Sequence, residues 1–288
     1  MINGYKTGFY AAGTFAQLPI EETCAILGKI GYDAVELGYG WLEKCGTAEA
    51  MKRDIAVIEN SGMILSECLV QQDYIAKDKD AQALAVENTK RAICLCADAG
   101  IKTLNLYSGP RQWIADRLTV GDNISQGQAW EIVFKAFDVL VPLAEEKGVA
   151  LAIENVWGML CCDFYTASYL INHYNSPNLG VNFDPSHDQL YGNTDVEFMI
   201  RQWGKDRIKH VHMKDAAGSQ QRGKVLFPPL GTGLVDWDGM VRGLDAIGYD
   251  GVLSVEYEAA QHLERNLKGD WVRAAEESFD ALKAILAK

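Results

Sequence analysis

The 288-residue chain holds no run of about 18 or more apolar residues, so nothing in it reads as a membrane-spanning helix. Met1 to Gly13 lacks the basic-then-apolar order of a signal peptide, and a cytoplasmic location is expected. Positive charge is scarce: 27 Lys and Arg face 39 Asp and Glu, leaving a formal charge of -12. That balance repels phosphate backbones and anionic lipid, so neither nucleic acid nor a membrane is an expected partner. The seven cysteines include no CxxC pair, are odd in number and sit mostly in apolar runs. They read as free, small hydrophobes of a reducing compartment. A GxGxxG fingerprint is missing too, since Gly231-Thr232-Gly233 comes late and opens no matching pattern, which argues against a dinucleotide-binding open sheet.

What is present is a regular alternation. Short apolar segments suited to strands occur at Thr7–Ala11, Ala34–Leu37, Ile64–Cys68, Thr103–Tyr107, Val149–Glu154, Gly180–Asp184, Ile208–Met213 and Gly251–Glu256. Between them lie segments with helical spacing, clearest in Trp130, Val133, Phe134, Phe137, Leu140, Val141 and Ala144 and again in Trp271, Ala275, Phe279, Leu282 and Leu286. Gly31, Gly62, Gly100, Gly148 and Gly248 punctuate the ends of the helical runs. No Pro- or Ser-rich linker intervenes, and only the loops around Ser108–Gln128 and Ala216–Gly233 are long. The expectation is one (β/α)8 TIM barrel, an α/β domain spanning residues 1–288.

In such a barrel, alternate strand residues point to the interior, and functional groups gather at the C-terminal strand ends. Ala152 and Glu154 share a face, as do Asn182 and Asp184, His210 and His212, and Ser254 and Glu256; the opposite faces are aliphatic or aromatic. The polar faces are therefore assigned inward, and four consecutive strands close on Glu154, Asp184, His212 and Glu256. Three carboxylates and an imidazole crowded at one side of the mouth require a cation. An oxygen-rich set with one histidine suits an octahedral divalent ion, Mn²⁺ first, with Mg²⁺, Co²⁺ or Fe²⁺ also fitting. Four protein ligands leave two positions open for vicinal sugar oxygens. Parity by itself does not separate His212 from His210, or Glu256 from Glu258.

Ile153-Glu154-Asn155, Asp184-Pro185-Ser186-His187, His210-Val211-His212-Met213-Lys214-Asp215, Pro229-Leu230-Gly231-Thr232-Gly233 and Val255-Glu256 together resemble the xylose-isomerase-like barrel superfamily of sugar isomerases and epimerases. The resemblance implies Glu154, Asp184, His212 and Glu256 as metal ligands and His187 as a residue that touches substrate. In the ketose 3-epimerases of that superfamily, a further glutamate lies six residues after the first ligand and an arginine six after the histidine. Leu160 and Gly218 stand there in this chain, a departure from ketohexose 3-epimerisation. The HxHxKD pattern looks closer to relatives that epimerise, or eliminate from, keto-sugars and glycosides.

The reaction this implies is proton transfer next to the carbonyl of a keto-sugar, with Glu154 and Glu256 as the catalytic pair on opposite sides of the substrate and a metal-stabilised enediolate between them. Lys214 is read as a hydroxyl or carbonyl ligand; Glu36, Glu67 and Asn105 stand at strand ends, where they would bond sugar hydroxyls. Trp157 is the preferred apolar wall, ahead of Trp113 and Tyr107. A lyase or dehydratase that expels a β-leaving group from a 3-keto-glycoside or an inosose uses the same groups. An abasic-site endonuclease would need more than five histidines and a basic surface, and a catalytically dead binding subunit would not need the ligand set. The expected partner is a small sugar, with assembly as a dimer or tetramer left open.

Overall fold

The computed structural model describes residues 1–287. Eight parallel strands close into a barrel: β1 (Lys6–Tyr10), β2 (Ala34–Leu37), β3 (Ile64–Val70), β4 (Thr103–Leu106), β5 (Ala150–Glu154), β6 (Leu179–Phe183), β7 (Ile208–Met213) and β8 (Val252–Val255). Each strand pairs with its neighbour in sequence, and β8 pairs with β1 in the register Lys6 to Val252 and Phe9 to Val255. The expected eightfold barrel is the observed architecture. Among the described residues no helix is long and apolar enough to cross a membrane.

The helix layer includes α1 (Ile20–Ile30), α2 (Tyr39–Cys45), α3 (Ala48–Asn60), α4 (Lys79–Ala99), α5 (Gln126–Lys147) and α6 (Phe164–Tyr174). It continues with α7 (Pro185–Tyr191), α8 (Val196–Arg207), α9 (Trp237–Ile247), α10 (Ala260–Arg265) and α11 (Trp271–Leu286). The stripe read from sequence on α5 buries Trp130, Val133, Phe137, Leu140, Val141 and Ala144 and leaves Phe134 half-buried, and a Ser125–Gln128 capping box starts that helix by satisfying its first free N–H groups. Outward strand residues such as Phe9, Val35, Leu104, Ile153 and Val211 complete the apolar layer between barrel and helices. Every cysteine is free.

The inward strand faces are polar and sealed. Asn105, Asn182, His210 and His212 are all buried, as the parity of their strands predicts. One irregularity brings the histidines into place: the β6–β7 register jumps from Val181–Ile208 to Asn182–His210, so Lys209 forms a bulge. Gly180 faces that bulge, and a Cβ there would collide with the Arg207 carbonyl and the Lys209 side chain. Gly180→Ala should therefore cost about 1–3 kcal/mol by overpacking, read as a lowered Tm. An unchanged Tm would mean that the strands close without needing this gap.

Candidate active site

Strand β5 ends on Glu154 and β7 carries His212 next to its last residue, while Asp184 and Glu256 each stand one residue past β6 and β8. One ligand-type atom from each of these four side chains lies within 4.8 Å of all the others. Glu154 Oε1 and Glu256 Oε2 are 3.3 and 3.4 Å from His212 Nδ1. Asp184 caps α7: its Oδ1 accepts from Ser186 N at 2.9 Å, and Pro185 at the first helical position needs no partner for its nitrogen. That leaves Oδ2 turned to the group. Among the described residues the buried His212 Nδ1 has no hydrogen-bond partner, and the buried Asp184 Oδ2 is met by the Lys214 ammonium. Three carboxylates and an imidazole nitrogen gathered around one point fit a divalent cation.

Lys214, buried and on the same parity as His212, supplies the protein's own positive charge. Its Nζ is 2.8 Å from Asp184 Oδ2 and 3.0 Å from Glu258 Oε2, and it contacts Glu256 Oε2 directly. Burial opposes the charged form of Lys214, but Asp184, Glu256 and Glu258 outweigh it and hold the ammonium well above its ordinary pKa. For His212, burial is likewise overcome by Glu36, Glu154 and Glu256, which raise the imidazole well above its usual range. Burial would raise the Glu256 carboxyl; Lys214 and His212 reverse this and hold it well below the carboxylate norm. Glu256 is thus ionised at neutral pH.

His187 is neutral, because burial and then the Lys214 ammonium push it well below the ordinary histidine value. The Trp157 backbone N–H donates to His187 Nδ1 at 3.1 Å, while Nε2 lies 3.1 Å from Lys214 Nζ and 3.4 Å from Asp184 Oδ2. Asn105 Nδ2 donates to Glu154 Oε2 at 3.1 Å and to Glu67 Oε1 at 3.2 Å. Above the group opens a narrow cavity of about 80 Å³, walled by Asn105, His187, Lys214 and Glu258, with Tyr107 and Trp113 at its side. Only a small polar segment fits such a space.

A family model described as a xylose isomerase-like TIM barrel matches residues 24–285. The chain belongs to that family. Within the xylose isomerase-like barrels, it is 24% identical over 266 residues to the putative L-ribulose-5-phosphate 3-epimerase SgbU of Escherichia coli, covering 88% of this chain and 89% of that protein. It is 30% identical over 128 residues to the uncharacterized protein MJ1311 of Methanocaldococcus jannaschii, an alignment that spans 43% of this chain and 42% of that one. The solved structure of the IolI protein with a bound zinc atom superposes with a TM-score of 0.76 at 17% identity, covering 98% of both chains, which shows the shared fold.

In this xylose isomerase-like barrel, several residues take positions that parity alone does not reveal. Glu36 and Glu67 were expected at sugar hydroxyls; both have 0% exposure and lie a layer deeper than the cavity. Glu36 bonds His212 Nε2 at 3.0 Å and Ser254 Oγ at 2.6 Å, and Glu67 reaches His210 Nδ1 at 3.1 Å. With His210 and His212 they form a second close group. Burial pushes His210 down to about 3, and burial reinforced by Glu36 lifts the Glu67 carboxyl well above its norm, so both are neutral.

Trp157 does not wall the cavity. Its indole Nε1 donates to the Gln220 carbonyl at 2.7 Å, and the ring lines a neighbouring groove, whereas Trp113, 60% exposed, borders the cavity over Tyr107. Glu258 joins the site through Lys214; its signal was its parity with Glu256. Phe227 covers Lys214 at 4.9 Å and meets the His187 ring edge-on at 5.5 Å. It lies in a loop without periodicity, where no sequence signal marks it.

That loop is anchored by Asp215. Its buried carboxylate accepts from the backbone N–H of Ala216, Gly231, Gly233 and Val235 and from the Trp237 indole, at 2.9–3.2 Å. Five donors thus enclose Asp215, which serves the loop as its anchor. Within the loop, a two-stranded hairpin pairs Ala217–Gly218 with Val225–Leu226. Gly218 has φ +89°, and a Cβ there would strike the Lys224 carbonyl. Leu160 is buried with its N–H on the Gly109 carbonyl at 2.8 Å.

Proposed function

We propose that this chain is a divalent-metal-dependent sugar epimerase or isomerase, which moves a proton on carbon next to the carbonyl of a keto-sugar or sugar derivative. The observation that carries this reading is the convergence of Glu154, Asp184, His212 and Glu256 within 4.8 Å under a narrow polar cavity. Membership in the family and the similarity to SgbU, named as a putative sugar epimerase, support the same class. The four residues would hold the metal, Mn²⁺ being the expected ion, and the bound ion would supply Lewis-acid stabilisation of the negative charge that develops on vicinal oxygens.

This chain's own groups would do the rest. Glu256, kept ionised by Lys214 and His212, is the base form required to take a proton from carbon. Glu154, steadied by Asn105, is its partner for return of the proton. His187 Nε2 and the Lys214 ammonium, 3.1 Å apart, would meet the oxygens of a substrate seated in the cavity. Tyr107 and Trp113 give it an apolar side, and Phe227 covers the Lys214–His187 edge.

The test has two parts. Elemental analysis of purified protein should find a divalent metal, and incubation with keto-sugars and keto-glycosides in D₂O should place deuterium at the carbon beside the carbonyl of substrate and isomer. An unsaturated or cleaved product would instead mean elimination. Protein that neither retains a divalent metal nor catalyses exchange on any keto-sugar would end this reading.

A further inference from the structure

His212 is fully buried, and its two ring nitrogens face two different layers of carboxylate. Nδ1 is turned to Glu154 and Glu256, at 3.3 and 3.4 Å. Nε2 is turned down the barrel to Glu36 Oε1 at 3.0 Å. Glu36 comes from β2, and its other oxygen is fixed by Ser254 Oγ from β8 at 2.6 Å. Glu67 Oε1 is 3.8 Å from Nε2, beyond hydrogen-bond reach.

With a cation bound, the His212 imidazole is neutral and carries one ring proton, and a carboxylate only accepts. With Glu36 against Nε2, the proton belongs there and the lone pair belongs on Nδ1. Asn182 Nδ2 also lies 3.2 Å from Nε2, but a ring nitrogen that donates to Glu36 has no lone pair to offer it. Glu36 therefore decides the tautomer. Its oxygens face His212 and Ser254, it has no exposed surface and it does not border the cavity.

We propose that Glu36 is a positioning residue: held by Ser254, it fixes His212 with the proton on Nε2 and so makes Nδ1 a strong, correctly aimed donor to the divalent cation. This inference rests on the metal-dependent reading above. The carboxylate polarises the ring through the Nε2–H bond, and outer partners of this kind are worth about 10–100-fold in metal affinity when removed. Ser254 contributes by restricting Glu36 to one rotamer.

The test uses Co²⁺ alone as probe, titrated by visible absorption into the metal-free parent, Glu36→Gln and Ser254→Ala. Glu36→Gln keeps the shape and removes the charge, so its Co²⁺ affinity should fall by about 10–100-fold with an unchanged circular dichroism spectrum, and Ser254→Ala should lose less. In the Zn²⁺-loaded parent, nitrogen-resolved NMR should find the His212 proton on Nε2 with a downfield resonance that moves upfield in Glu36→Gln. Parent-like affinity in Glu36→Gln, within about twofold, would overturn the inference and leave the metal reading intact. Failure of the parent itself to bind Co²⁺ would remove both. Should Glu36→Gln not fold, a proton found on Nδ1 in the Zn²⁺-loaded parent would overturn the inference by itself.

Discussion

Glu256→Gln is expected to lower turnover by about 10²–10⁴-fold, the range usual for loss of a positioned acid or base, while the protein stays folded. The amide keeps the shape of the carboxylate and its place above Lys214, so the loss reports on proton transfer more than on packing. Glu154→Gln should fall in the same range. The two variants should differ in what they still exchange: with one base left on one face, the substrate that presents its proton to that face continues to wash deuterium in, while its stereoisomer does not. Because the two residues act as a unit, the double variant should be scarcely slower than the worse single one. Turnover at the parental rate in both single variants would remove them from the chemistry.

The second large effect belongs to Asp215. Five donors converge on its carboxylate, four from backbone and one from the Trp237 indole. Removing the acceptor leaves three buried donors, Ala216 N, Val235 N and the Trp237 indole, unpaired at about 1–3 kcal/mol apiece before water enters, and frees the part-buried Gly231 and Gly233 amides, so Asp215→Ala should lose about 3–5 kcal/mol. The loss should be local first. Hydrogen exchange should accelerate at Gly231, Gly233 and Val235, and the loop carrying Phe227 should no longer cover Lys214 and His187. A weaker KM for substrate would accompany it. Unchanged exchange protection at those three amides would show that the loop is held by other contacts.

Much of the site could be read in the sequence because barrel strands translate parity into direction. Glu154 and His212 lie within their strands, and Asp184 and Glu256 continue the alternation one residue beyond theirs. Parity says inward, however, and is silent on depth: Glu36 and Glu67 point inward as expected but end beneath His212 rather than in the cavity. The Lys209 bulge was equally hidden, since an extra residue in one strand leaves no mark in apolar periodicity. Loop residues escaped for a different reason. Phe227 and Trp113 owe their places to the Asp215 anchor and to contacts with Tyr107, which are tertiary facts without local repeat. The resemblance to the xylose isomerase-like barrels singled out His212 over His210; in the structure His210 lies below, neutral, against Asn182 and Glu67.

The tight hairpin at Gly218 limits how this catalyst can be re-engineered. A residue with a side chain meets the Lys224 carbonyl and must also adopt a left-handed backbone, so an arginine cannot simply be grafted there. Installing one means transplanting the whole span from Ala216 to Val235 as a cassette, with Asp215 retained as the socket into which any donor loop must plug. Divergence of specificity among such barrels would then proceed by exchange of loops more readily than by single codons.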